Sequence, residues 1–158
     1  MEVMQPGSKK EADALIRSQY ANGKPSYFRM SDHSHGVDIP IEFGKGAILK
    51  DTGAPVTVVT AGPILANVLP ACQDLEVNLL YFHTIKPFDQ ALIMRYRHTR
   101  FLVVHDAFGL HEAVCSVPDV LAVCHGLPDR FCCNYGTVHD IRRDLRLGVQ
   151  MDHQALID

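Results

Sequence analysis

Several short stretches of the sequence carry side chains that could do chemistry. In Asp32-His-Ser-His-Gly36 the imidazoles of His33 and His35 alternate, so the pair could chelate a transition metal if a third ligand came from elsewhere. A His-x-His in a loop is weak evidence alone, and hydrated linker histidines are the plainer reading. His111 and Cys115 stand four residues apart, one helical turn, which suits a thiol beside a base. No orienting third group or oxyanion hole accompanies them, so nucleophilic catalysis is not inferred. Vicinal Cys132-Cys133 on an expected strand would point to opposite faces and reads as core packing rather than a redox pair. Gly44-Lys45-Gly46 precedes a strand and lacks the rest of a dinucleotide fingerprint. Thr60 to Leu65 could place helix-start amides around an anion, but Pro63 removes one donor and favours a simple helix start. In Thr84-Ile-Lys-Pro-Phe-Asp89, His83 and Lys86 could line a crevice at a strand end, whereas Pro87 sets chain direction and Asp89 caps a helix. The last stretch therefore reads as a joint.

The elements that must position these groups follow from periodicity. Residues 9–21 have apolar Ala12, Leu15, Ile16 and Tyr20 at helical spacing behind a capping Ser8. A short strand follows at 26–31, then turn chemistry without periodicity at 32–40. Strands are expected on either side of Asp51-Thr52-Gly53, with Val56 to Thr60 central in a sheet. Strand and helix then alternate: helix 63–71, strand 76–82, helix 89–96, strand 100–106, and a helix from 110 ended by Pro118. A short strand over 128–133, a helix from Thr137 to Gly148 and a final short helix complete the reading. This order predicts an α/β fold of three layers, a mostly parallel sheet with helices on both faces. The piece before the linker, one helix and one strand, cannot bury its own apolar face.

Composition bounds the rest. The chain has 158 residues, 47% apolar and 21% charged, as in a globular domain able to build its own core. A net charge of −3 and a pI near 6.3 give no footprint for nucleic acid or an anionic membrane. No long apolar run suggests a membrane span, and the start lacks the layout of a signal peptide. The five cysteines form no CxxC pair, and those in apolar runs read as small hydrophobes in a reducing, cytoplasmic setting.

Three stretches in order, "MQPGSKKEADALIRSQYANGKPSYFRMS", "FGKGAILKDTGAPVTVVTAGPILANVL…LLYFHTIKPFD" and "GLPDRFCCNYGTVHDIRRDLRLG", resemble the carboxyl-terminal region of the transketolase family of thiamine diphosphate enzymes. The resemblance implies three parts: residues 1–31 as the tail end of a pyrimidine-binding domain, 32–40 as a linker, and 41–158 as the carboxyl-terminal domain. It implies ketol transfer between sugar phosphates by the whole enzyme, with thiamine diphosphate and magnesium as cofactors. The family's Gly-Asp-Gly metal motif and cofactor-activating glutamate have no match in this sequence. The chain alone is therefore expected to supply no catalytic residue, cofactor ligand or metal ligand, and to serve assembly and the active-site rim. Its implied partners are the remainder of the enzyme or a partner subunit, in a homodimer. Arg29 matches an arginine that in sugar-phosphate relatives grips the substrate phosphate, and His33 would lie near the same channel mouth. The 2-oxo-acid dehydrogenase beta subunits, and a free-standing binding or regulatory module of the same fold, are the alternatives. At His105-Asp106 and after, the sequence departs from the family pattern. One glycine, Gly109, remains at the helix start, and His111 stands where relatives have another.

Overall fold

A computed structural model describes residues 1–127 and 137–144. Its centre is a five-stranded sheet built from the apolar runs. The strands are β3 (Gly46–Lys50), β4 (Val56–Ala61), β5 (Asn78–Phe82), β7 (Arg100–His105) and β8 (Ala122–Gly126), in the order β3-β5-β4-β7-β8. All neighbours are parallel except β3, which runs antiparallel to β5. The period-2 alternation of strands divides the core. Val59, Leu80, Phe82 and Val103 face α3 (Gln90–Arg95) and α4 (Leu110–Cys115) on one side. Val58, Leu79, Tyr81, Leu102 and Val104 face α2 (Leu65–Ala71) and Ile39 on the other. The α/β architecture with helices on both faces is thus as expected, and each face of the sheet buries a cluster of apolar side chains.

Local chemistry sets the connections. Asn78 Nδ2 donates to the carbonyls of Ala54 and Val56, and its Oδ1 accepts from Thr52 N, which fixes the 51–54 turn against β5. The strands flanking that turn do not pair with each other, because β5 is inserted between them. The Lys50 ammonium donates to the carbonyls of Cys72, Gln73 and Leu75, satisfying the end of α2 with a cation where the helix dipole favours one.

Before the large sheet lies a small one, order β2-β1-β6, made of β1 (Glu2–Met4), β2 (Ser26–Phe28) and β6 (Thr84–Lys86). The sequence reading lacked β1, β6 and β8. Three-residue strands between turn residues have too little pattern to register, and pairing on both sides of β1 selects them. β8 sits in a run whose apolar residues also suit a helix. Helix α1 (Lys9–Gln19) begins at Ser8, whose Oγ accepts from Glu11 N. Its buried face is Glu11, Ala12 and Leu15, not the expected stripe through Ile16 and Tyr20, which are exposed. Helix α5 (Val138–Asp144) starts at Thr137 as expected, with Oγ1 accepting from Asp140 N. Cys132, Cys133, the strand expected at 128–133, the stop at Gly148 and the final helix lie outside the described residues.

The 84–89 stretch is a joint. Thr84–Lys86 forms β6 against β1, the Lys86–Pro87 peptide is cis, and Asp89 caps α3 through Leu92 N while its other oxygen accepts from Gly46 N. His83 is buried on Thr84 Oγ1, and burial holds its imidazole below the ordinary histidine range. Lys86 is exposed. Asp89→Ala is expected to cost about 1–2 kcal/mol of stability through both lost acceptors. Lys86→Ala should stay within about 0.5 kcal/mol. Urea unfolding of the two variants checks this.

Candidate functional site

Chain direction brings several strand ends to one place. Gln5 follows β1, Arg29 follows β2, Pro63 follows β4, Asp106 follows β7 and Leu127 follows β8. With Met30, Ser31, and Ile141 and Arg142 of α5, they line a cleft of about 220 Å³. Its position has a topological cause. β4 and β7 are adjacent, yet the chain leaves β4 toward α2 on one face and leaves β7 toward α4 on the other. Between such diverging connections an open α/β sheet has a crevice at its carboxyl edge.

Asp106 is the hub of the cleft. Its carboxylate accepts from Arg142 Nη2 and, at 3.3 Å, from Gln5 Nε2, while its carbonyl accepts from Arg29 Nη2 at 3.1 Å. Arg29 is placed by its own backbone, whose amide continues the ladder to Met4 O. Its side chain is exposed to the cleft, whereas Arg142 is 9% exposed and its Nε has no hydrogen-bond partner among the described residues. His33 is not in this cleft. It lines an adjoining hollow of about 200 Å³ with Lys9 and Ser34, and the two hollows share Met30 and Ser31. Sequence reasoning pointed to Arg29 and His33 but missed Gln5, Asp106 and Arg142 as neighbours. The acidic position after β7 was the available signal for Asp106.

His35 is no hydrated linker residue. Its side chain is fully buried, and its Nδ1 accepts from Val37 N, which leaves Nε2 to donate to Glu11 Oε1 at 2.8 Å. Glu11 Oε2 accepts from Gly7 N and from the Tyr81 hydroxyl, both at 2.7 Å. Alternating histidines in a polar loop cannot reveal this, because the partner carboxylate lies a helix away. Burial pushes the Glu11 carboxyl up, but the hydrogen bonds from His35, Gly7 and Tyr81 outweigh it and hold the group below its ordinary range. Burial and the adjacent carboxylate push the Tyr81 hydroxyl strongly up, so it stays a donor. The space around Gly7 is closed: an added Cβ would stand 2.4 Å from His35 Cδ2 and 2.6 Å from the Tyr81 hydroxyl.

The remaining candidates are structural. Cys115 Sγ lies 3.4 Å from His111 Nε2, but that imidazole also faces Ala122 O, which ties α4 to β8. Cys72 is buried as expected, and desolvation pushes its thiol to about 11. Cys115 and Cys124 are exposed, contrary to the core reading, because β8 is an edge strand and α4 turns its Cys115 side outward. Gly109 starts α4 with φ 110°, a conformation that favours glycine. No helix among the described residues is long and apolar enough to cross a membrane.

No family model matches the chain. A 1-deoxy-D-xylulose-5-phosphate synthase of Vibrio vulnificus is 25% identical over 173 residues, covering 99% of this chain and 27% of its own length. A split-gene transketolase in an inactive beta4 tetramer superposes with a TM-score of 0.83 at 24% identity, over 99% of this chain and 58% of its own. A transketolase mutant from Pichia stipitis gives 0.68 at 15% identity over 99% and 24%. The chain is homologous to the carboxyl-terminal region of deoxyxylulose-phosphate synthase and transketolase. It spans about a quarter of the length of the curated synthases it matches.

The parent family uses thiamine diphosphate. Among the described residues, no set of three or more His, Cys, Asp or Glu side chains could hold a metal ion.

The Glu11 cluster yields a prediction with a definite sign. A carboxylate held low in the folded state stabilises above its unfolded value, about 4.3, and loses that contribution as pH falls through the folded value. Wild-type stability should drop on acidification below about pH 4.5, and Glu11→Gln should flatten that limb. At neutral pH the variant should be about 2–3 kcal/mol less stable. Urea unfolding from about pH 3 to 7 reads both.

Proposed function

We propose that this chain is the carboxyl-terminal part of a transketolase-type enzyme that transfers ketol units between sugar phosphates, and that it shapes the rim of the active site. The carrying observation is Arg29. It leaves β2 at the mouth of the cleft with one guanidinium nitrogen on Asp106 O and an exposed side chain, so it retains donors for a ligand. A guanidinium fork matches a phosphate by paired hydrogen bonds. In this reading Arg29 holds the substrate phosphate and His33, about two-fifths exposed in the next hollow, lies along the entry.

Residues 1–31 are then the tail of a pyrimidine-binding domain, 32–40 a linker and 41–158 the carboxyl-terminal domain. Glu11, His35 and Tyr81 hold the three parts in one register. Thiamine diphosphate, magnesium and the catalytic groups come from the remainder of the enzyme or a partner subunit, and the assembly is built about a two-fold axis in the cytoplasm. The resemblance to a split-gene transketolase supports a separately made partner.

Calorimetric titration of this chain with thiamine diphosphate and magnesium should give no saturable heat. In enzyme reconstituted with the missing domains, Arg29→Met should raise KM for the phosphorylated substrate at least about tenfold, with kcat little changed. An unchanged KM removes Arg29 from the substrate site.

A further inference from the structure

Two thiols and two imidazoles that the proposed function does not use meet where α4 crosses β8. In the β7–β8 ladder Val103 stands opposite Cys124 and His105 opposite Gly126, and Val103 packs toward α4. Alternation along the strands therefore puts Cys124 and His105 on the α4 side of the sheet. There His105 Nε2 lies 3.0 Å from Cys124 Sγ. On α4, Cys115 Sγ lies 3.4 Å from His111 Nε2, which reaches across to Ala122 O, also at 3.4 Å. Ala122 and Cys124 are two residues apart on β8 and share one face, so the contact that ties α4 to the strand brings Cys115 toward Cys124. Some Cα pairs of α4 and β8 lie within 8 Å, close to the range of about 4.4–6.8 Å that a disulfide spans. Both thiols are exposed, whereas Cys72 is buried. The four groups do not converge on one point that could hold a metal ion, which leaves thiol chemistry.

The two thiols differ in kind. An imidazole nitrogen that faces a carbonyl carries its proton, so His111 Nε2–H donates toward Ala122 O and toward Cys115 Sγ alike. A donor at that sulfur favours the thiolate, the nucleophilic form. Cys124 is the opposite case. Desolvation, then the charges of Glu112 and Cys115, push its thiol up, so it stays protonated. Burial holds the His105 imidazole below its ordinary range, and a neutral imidazole is an acceptor for the Cys124 proton.

We propose that Cys115 and Cys124 form a reversible redox-modification site, in which hydrogen peroxide joins them as a disulfide, with Cys115 attacking and Cys124 resolving. Cys115 ionises with its proton on the His111 imidazole, and the thiolate attacks one peroxide oxygen. The O–O bond breaks, a sulfenic acid forms, and the departing hydroxide takes the His111 proton and leaves as water. Cys124 then gives its proton to His105, and its sulfur attacks the sulfenic sulfur. The S–S bond forms, the S–O bond breaks, and the released hydroxide leaves as water with the proton from His105. The two thiols lose two electrons, and one peroxide is reduced to two waters.

The test uses the 158-residue chain, fully reduced and then exposed to stoichiometric hydrogen peroxide, with circular dichroism confirming that each variant is folded. Remaining thiols are blocked with N-ethylmaleimide, the chain is cleaved before Asp119, which separates the two cysteines, and the unreduced peptides are read by mass spectrometry. A linked Cys115–Cys124 peptide pair is expected, and dithiothreitol should release it. Cys115→Ser should abolish the link and leave Cys124 open to blocking. His111→Gln should slow link formation about tenfold and move the pH profile of Cys115 alkylation by iodoacetamide to higher pH, a change that a merely structural contact would not produce. Recovery of the two cysteines as separately blocked or separately oxidised peptides overturns the proposal, as does linkage of either one to Cys132 or Cys133. An unchanged alkylation profile in His111→Gln overturns the assignment of Cys115 as the attacking thiol.

Discussion

Three segments distant in sequence converge on one buried carboxylate, and their relative placement depends on it. Glu11 takes the amide of Gly7, the hydroxyl of Tyr81 and the imidazole of His35, so a helix, a strand of the main sheet and the connecting loop share one acceptor. A carboxylate with 1% exposure would be costly without such partners. With them it remains ionised and fixes a single arrangement, since any shift of α1 leaves a charge unpaired. The absence of a side chain at Gly7 lets these groups come within reach of one another.

A second carboxylate does at the surface what Glu11 does inside. Asp106 sits where β7 ends, beside the point at which the chain leaves neighbouring strands for opposite faces of the sheet. It gathers Gln5 from the small sheet and Arg142 from α5, and its carbonyl steadies Arg29. The first β-strands and α5 thereby become parts of one cleft. The two hubs are related through the small sheet, because β1 both leads into Gly7 and delivers Gln5. This explains how a chain homologous to only the carboxyl-terminal quarter of its relatives can still present an organised carboxyl edge.

Much of the fold was legible from periodicity because the central strands β4, β5 and β7 of the large sheet are buried on both faces. Runs such as Val56–Ala61 and Asn78–Phe82 have few other uses, and the Ser8, Asp89 and Thr137 caps mark helix starts by local hydrogen bonding alone. The small sheet was not legible. Glu2–Met4 pairs with Ser26–Phe28 on one side and, across about 80 residues, with Thr84–Lys86 on the other, and no local preference encodes that. The burial of Ile16 and Tyr20 was mispredicted for a related reason: α1 turns toward the sheet the face that carries Glu11.

The sequence by itself determined the alternation of the central strands β4, β5 and β7 with helices, the capped helix starts, and the presence of Arg29 behind a short strand in a family-like setting. Those depend on interactions within a few residues and on burial of apolar runs, which composition and spacing report directly. Only the tertiary structure decided that His35 is buried on Glu11 while His33 stays in a half-open hollow, two residues apart in an apparently uniform loop. It also decided that Asp106 and Arg142 share a cleft with Arg29. The physical reason is that a charged side chain has no preferred partner until the fold fixes distance and dielectric, and both are properties of the whole chain.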